Sequence, residues 1–270
     1  MEIRPMRRLA LTVCLLAAAA LATAFSPARA QQPQMSALLD QIVQRGVLRI
    51  GTTGDYKPFT YKDPATGKFE GFDIDQGEAL AAAIGVKAEF VETSWPTMAA
   101  DFAANRFDMA MGGVSITLDR ARKGYFSSAY LREGKTPIAR CAEVGKYAAL
   151  TDIDRPEVRV VVNPGGTNER FARANIKTAP IRVFPDNRAI FDEIAEGRAD
   201  VMMTDVSETK YQSKLHAGVL CPVHPDKPFD FAEKAYWMQR DEALRSFVDA
   251  WLHMAQENGA FRKLVARWME

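Results

Sequence analysis

Cysteine is scarce in this chain of 270 residues: there are three, and one of them, Cys14, falls inside an N-terminal apolar run. Neither charge sign is in excess, since 35 lysines and arginines stand against 34 aspartates and glutamates, and no basic run occurs. That balance removes the usual reason to expect a nucleic acid or an anionic membrane surface as partner. Histidine is equally scarce, and its one grouping with cysteine, His216, Cys221 and His224, has spacings that fit no standard zinc pattern. No metal site is expected. Low-complexity segments and short-period repeats are absent too.

The one long apolar run opens the chain. In "MEIRPMRRLALTVCLLAAAALATAFSPARA" arginines precede apolar residues broken only by Thr12, Cys14 and Thr23, and the stretch ends on Ala28-Arg29-Ala30. This is the pattern of a secretory signal peptide over residues 1–30; a membrane anchor would need a longer run without the small-residue cleavage pattern. The expected mature chain begins near Gln31. Without Arg4, Arg7, Arg8, Arg29 and Glu2 it carries 31 basic and 33 acidic residues, a net charge of −2. Its remaining cysteines, Cys141 and Cys221, are candidates for a disulfide that would close a loop of about 80 residues.

From Val47 onward strands and helices alternate. "VLRIGTT", "VKAEFVET" and "FDMAMGG" read as strands, separated by helices in "FDIDQGEALAAAIG" and "WPTMAADFAANR". The same rhythm restarts with "VRVVVN", "IRVFP" and "ADVMMTD", interleaved with helices in "TNERFARAN", "NRAIFDEIAEGR" and "VSETKYQSKL". The expected fold class is α/β, in two similar lobes that are each a mostly parallel sheet flanked by helices. The extended segments "GKTPIARCAEVG" and "PFDFAEKAYWMQR" predict two hinge crossovers, which assigns 31–136 plus 233–270 to lobe 1 and 137–232 to lobe 2. The closing helices, "DEALRSFVDAWLHMAQENG" and "AFRKLVARWME", are expected to pack on lobe 1. A ligand cleft between the lobes follows, because open α/β sheets bind ligands at the carboxyl ends of their strands.

The loops at those ends carry the candidate residues. Tyr56 and Trp95 can flank a flat ligand or simply pack. Ser115 and Thr117 offer hydroxyls beside Gly112 and Gly113, and Arg120 can fork onto a carboxylate or pair with Asp119 on a short surface helix. On lobe 2, Asp205 is either a helix cap or an acceptor for a ligand amine or hydroxyl. "NPGGTNERF", Asn163 to Phe171, reads as a strand end, a glycine turn and a helix start, a geometry suited to an anion. Glu169 places a carboxylate there. With Thr167 as N-cap it would be a helix-stabilising charge of lowered pKa, whereas a dianionic ligand in a dry cleft would raise its pKa and make it a proton donor.

Taken together, "GTTGDYKPF", "GFDIDQGEAL", "SITLDRA", "YFSSAYL" and "TNERFA" resemble the periplasmic amino-acid-binding proteins of ABC transporters, over nearly the whole expected mature chain. The resemblance implies the type II periplasmic-binding-protein-like fold and a periplasmic location. It also implies a Tyr56–Trp95 sandwich, a carboxylate held by Arg120 with Ser115 and Thr167, and an amine taken by Asp205. A narrower set, "TTGDYKPFTY", "TSWPTM", "YLREGKTPI", "VNPGGTNERFARAN", "MMTD" and "PFDFAEKAY", looks like the cyclohexadienyl dehydratases built on that fold. These remove water and carbon dioxide from prephenate or arogenate without a cofactor. That resemblance implies a small-molecule substrate, Glu169 as proton donor, and Asn163, Thr117 and Asn168 as further binding groups. A transport binding protein for an amino acid or aromatic carboxylate is the alternative, and a homo-oligomer is compatible with the sequence.

Overall fold

The computed structural model describes residues 37–270. The expected signal peptide at residues 1–30 lies outside them.

Helix α1 (Leu38–Arg45) leads into β1 (Val47–Thr52), followed by a small antiparallel meander, β2 (Asp55–Tyr56), β3 (Thr60–Lys62) and β4 (Phe69–Glu70). Then come α2 (Phe72–Ile84), β5 (Lys87–Glu92), α3 (Met98–Ala103), β6 (Met109–Ala110), α4 (Leu118–Ala121) and β7 (Tyr125–Phe126). The chain leaves the first lobe through β8 (Leu131–Glu133) and β9 (Lys135–Arg140). The second lobe continues with α5 (Leu150–Ile153), β10 (Val160–Val162), α6 (Thr167–Asn175), β11 (Ile181–Val183), α7 (Ile190–Ala195), β12 (Val201–Asp205), α8 (Val206–Leu215) and β13 (Leu220–Pro222). Strands β14 (Ala232–Lys234) and β15 (Trp237–Met238) return to the first lobe, and α9 (Glu242–Glu257) and α10 (Ala260–Trp268) close the chain.

The two main sheets share one plan. The first runs β5-β1-β6-β15-β7 and the second β11-β10-β12-β9-β13. In each, the first three strands are parallel, as the β-α-β rhythm predicts, and the fourth pairs antiparallel with both of its neighbours. The antiparallel members include β9 and β15, the strands in which the chain enters the second lobe and re-enters the first. The sheets are therefore mixed, because crossover strands join them from the hinge side.

Strand periodicity explains the second lobe's core. Successive strand side chains face opposite ways, so Val160, Val162, Val201 and Met203 pack on one face while Val161 and Met202 pack on the other. That is why "VVV" and "VMM" are apolar without alternation. In the first lobe α2 stops at Gly85, whose φ of 86° places it in the left-handed region where glycine is unstrained, so its N–H can cap Ala81 and Ala82. Leu244, Val248 and Leu252 of α9 are buried in the first-lobe core with Phe72 and Leu80, and Phe261 and Leu264 of α10 pack against it. Among the described residues no helix is long and apolar enough to cross a membrane.

Strands β8 and β14 pair antiparallel as a two-stranded ribbon between the lobes, with Glu133 opposite Ala232 and Lys234 opposite Leu131. On the second lobe Cys141 and Cys221 are disulfide-bonded across 80 residues of sequence. A closed loop of that length restricts the unfolded chain by about 4–5 kcal/mol at the upper bound. Replacing both cysteines with serine is expected to lower the denaturant midpoint in an equilibrium unfolding experiment. A midpoint equal to that of the oxidised wild type would refute this contribution.

Candidate functional site

The cleft between the lobes is lined by Tyr56, Trp95, Gly113, Ser115, Asn163, Gly166, Thr167, Asn168, Asp205 and Lys234. Tyr56 follows the end of β1, Ser115 the end of β6, Asn163 ends β10's apolar run, and Asp205 closes β12. These are carboxyl ends of strands, where the loops of both sheets converge.

The first-lobe loop is held from beneath. Asp73, completely buried in α2, accepts hydrogen bonds from the amides of Gly112 (2.8 Å) and Gly113 (2.6 Å) and from the Tyr130 hydroxyl (2.8 Å). Burial raises its carboxyl to about 6, against the pull of those bonds. Gly113 has a φ of 72°, and a Cβ there would lie 2.5 Å from the Tyr56 ring. Glycine is needed at this position for backbone conformation and for room.

Arg120 is buried beside this loop and donates from Nη1 to the Ser115 carbonyl at 2.8 Å. Burial lowers its guanidinium to about 10, and Arg170 adds to the effect. Asp119 pairs instead with Arg122 on the exposed face. Thr117 is the N-cap of α4, its hydroxyl accepting from the Arg120 amide at 3.2 Å, and it does not line the cleft. Tyr56 and Trp95 do line it, but their rings meet edge-on, 5.5 Å apart at 88°, while Tyr56 stacks on Phe59. They do not form the two parallel walls of a sandwich here.

On the second lobe the N-cap of α6 is Gly166, so Thr167 is the first helical residue and Glu169 the third. This corrects the expectation that Thr167 caps the helix. The Glu169 carboxylate accepts from the Gly165 amide at 2.7 Å and from Arg173 at 2.8 Å. These contacts, the Gly165 amide foremost, hold its pKa below the usual carboxylate range. It is absent from the cleft lining. With no ligand in the cleft, the turn's own amide and Arg173 thus keep Glu169 ionised.

Asn168 does face the cleft. Its amide donates to the Asn163 side chain (2.9 Å) and to Thr204 Oγ1 (3.0 Å). Asp205 precedes α8, but its side chain makes no capping bond. It turns into the cleft, where Lys135 Nζ reaches Oδ1 at 2.6 Å and Lys234 Nζ reaches Oδ2 at 2.7 Å. The Tyr56 hydroxyl also donates to Oδ2, at 2.5 Å. Burial alone would raise the Asp205 carboxyl; the two ammonium groups reverse that and hold it far below the usual range.

Three residues of this site escape a reading of local sequence. Lys135 and Lys234 are 2 % and 1 % exposed, and lysine is rarely so buried unless paired. Lys135 also donates to Thr167 and Asn168, and Lys234 to Ser115 Oγ at 2.9 Å. The third is Glu208, 1 % exposed in the first turn of α8. Its carboxyl accepts from Asn187 Nδ2 at 3.0 Å and from Thr204. Burial pushes it up to about 8, the Asp205 and Asp55 charges add to the rise, and the two hydrogen bonds oppose it. Among the described residues no cluster of histidine, cysteine, aspartate or glutamate is disposed to hold a metal ion.

Residues 48–270 match the bacterial extracellular solute-binding proteins, family 3. The chain belongs to that family. It is 54% identical over 232 residues to the cyclohexadienyl dehydratase of Pseudomonas aeruginosa, with 86% of each chain covered. Among solved structures it is similar to an ancestral amino acid-binding protein described as a precursor of cyclohexadienyl dehydratase, at 36% identity and a TM-score of 0.79, covering 86% of this chain and 100% of that one. It is also similar to an ancestral cyclohexadienyl dehydratase, at 49% identity and a TM-score of 0.55, covering 87% and 98%.

Glu169 supplies a test of this solute-binding-family site. Because its folded pKa is lowered, its stabilising contribution is present above the unfolded pKa and is lost as pH falls through the folded value. Glu169→Gln is expected to cost about 0.3–1 kcal/mol at pH 7, the range for a charge in a first helical turn. In acid the two proteins should unfold together. A deficit that widens on acidification would mean that Glu169 is not held ionised.

Proposed function

We propose that the protein is a periplasmic cyclohexadienyl dehydratase, exported by the leader at residues 1–30. It converts prephenate to phenylpyruvate and arogenate to phenylalanine. The observation that carries the mechanism is Glu208, a sealed carboxyl that burial and the charges of Asp205 and Asp55 push up to about 8, so that it keeps its proton at neutral pH. The 54% identity to a cyclohexadienyl dehydratase supports the same reading.

The reaction breaks two bonds on one ring. The ring carboxylate leaves as carbon dioxide, its bonding pair enters the ring, and the hydroxyl leaves with a proton as water. Aromatisation supplies the driving force, so the protein must orient a dianion and provide one acid. Glu208 provides it: Asp205 and Glu208 stand three residues apart on one face of the α8 start, and Thr204, which hydrogen-bonds Glu208, also receives the cleft residue Asn168. In giving up its proton Glu208 becomes a buried carboxylate, which recovers a proton before the next turnover.

The side-chain carboxylate survives the reaction and is the one to hold firmly. Arg120 with Ser115 and the turn at Gly166 and Thr167 form that clamp, with Lys135 and Lys234 adding positive charge. A strong clamp on the departing ring carboxylate would stabilise the ground state. That group belongs near Trp95, away from the cations.

Purified protein mixed with prephenate is expected to form phenylpyruvate well above the spontaneous rate. If it does not, while ligands still raise the melting temperature, the protein is a binding protein and not an enzyme. Glu208→Gln is expected to lose at least ~100-fold in kcat, the lower end of general-acid contributions, and that loss in Glu169→Gln instead would move the acid to Glu169. Since the protonated form is the active one and burial holds Glu208 at about 8, kcat/KM should fall as pH rises through that value. A profile flat to pH 9 would remove Glu208 from the role.

A further inference from the structure

Asp205 occupies the position at which resemblance to amino-acid-binding proteins expects a receptor for a ligand's α-ammonium. Its carboxylate is already engaged by the protein, by Lys135 on one oxygen and by Lys234 and the Tyr56 hydroxyl on the other. The two lysines differ in how they arrive. Lys135 is the cross-strand partner of Asp205 in the β12–β9 register, so that ion pair lies within one sheet and travels with the second lobe. Lys234 bridges to Ser115 of the first lobe and lies 3.4 Å from Glu133, so its bond to Asp205 spans the cleft.

The backbone that carries Lys135 is held by the second crossover. A Cβ at Gly134 would lie 2.0 Å from the Asp230 carbonyl, so the two crossovers touch backbone to backbone just before Lys135. The Lys135 amide donates to Asp230 at 2.6 Å, and the Phe229 amide to the Lys135 carbonyl at 2.8 Å.

We propose that Lys135 and Lys234 determine ligand class, by occupying Asp205 so that the cleft favours a 2-oxo acid dianion over the corresponding 2-amino acid. An arriving α-ammonium would be a further cation among Lys135, Lys234 and Arg120, facing only Asp205 and Glu133. To reach Asp205 it must displace a lysine, which leaves Lys234 with only its longer contact to Glu133 as counter-charge or Lys135 with only neutral partners. A 2-oxo group is an acceptor and can take the hydrogen bond that Lys135 gives to Thr167 or Lys234 gives to Ser115, with the Asp205 pair intact. The inference rests on the dehydratase reading for its natural substrates, prephenate as the oxo acid and arogenate as the amino acid.

The experiment measures kcat/KM for both substrates on wild type, Lys234→Arg and Lys234→Met. The prephenate-to-arogenate ratio is expected to fall by at least ~10-fold in Lys234→Met and to stay within ~3-fold of wild type in Lys234→Arg, read as differential transition-state binding. Lys135→Met should shift the ratio in the same direction. Equal losses on both substrates, or an unchanged ratio in a folded Lys234→Met protein, would overturn the proposal. If that variant does not fold, Lys234→Met/Glu133→Gln, which removes the counter-charge as well, is read by the same criterion. If wild type turns over neither substrate, the dehydratase reading fails by itself, and thermal shifts with phenylpyruvate and L-phenylalanine take over. Stronger stabilisation of wild type by phenylpyruvate, lost in Lys234→Met, supports the inference; equal stabilisation, or none by either probe, sinks it.

Discussion

The cleft is organised around one carboxylate, Asp205, and the two ammonium groups that neutralise it. Two charges sealed from water are tolerated only where their partners are close and well placed, and here the requirement fixes much else. It sets Lys135 opposite Asp205 across two strands, draws Lys234 between Ser115 and Glu133, and turns the Tyr56 hydroxyl toward the second lobe. The burial that makes this cluster costly also keeps Glu208 protonated three residues further on. The anion-receiving character of the cleft and its acid share one origin, the exclusion of water where the lobes meet.

That arrangement also separates two ways of using a solute-binding fold. A binding protein for amino acids needs a free carboxylate for the amine and gains nothing from a buried acid. This chain has a carboxylate already satisfied by its own lysines and a second carboxyl held neutral. Function thus rests on a handful of side chains at the lobe junction, while the sheets beneath serve either purpose.

Much of the framework was legible in the sequence. The helices at 167–175 and 206–215 coincide with the periodic segments read from residues alone, and Tyr56, Ser115, Asn163, Thr167, Asn168 and Asp205 lie on the cleft because strand ends predict it. The buried, neutral Glu208 was not legible, for a definite reason. Glu169 and Glu208 both sit in the first turn of a helix after a strand, and in local sequence they are equivalent. What separates them is the surroundings: Glu169 meets Arg173 near solvent, and Glu208 is enclosed by Asn187 and Thr204. The lysines were hidden similarly. "GKTPI" and "AEKAY" read as extended crossovers whose lysines would ordinarily be solvated, and only their apolar flanks hinted at burial.

The hinge ribbon bears on how the lobes can move. Because β8 and β14 are hydrogen-bonded to each other, they act as one strip and not as two independent tethers. A strip of this kind flexes across its plane but resists sliding along it, which leaves the lobes a swing about a single axis. Lys234 ends that strip. Asp205 lies on the second lobe, so its bond to Lys234 joins that lobe to the strip.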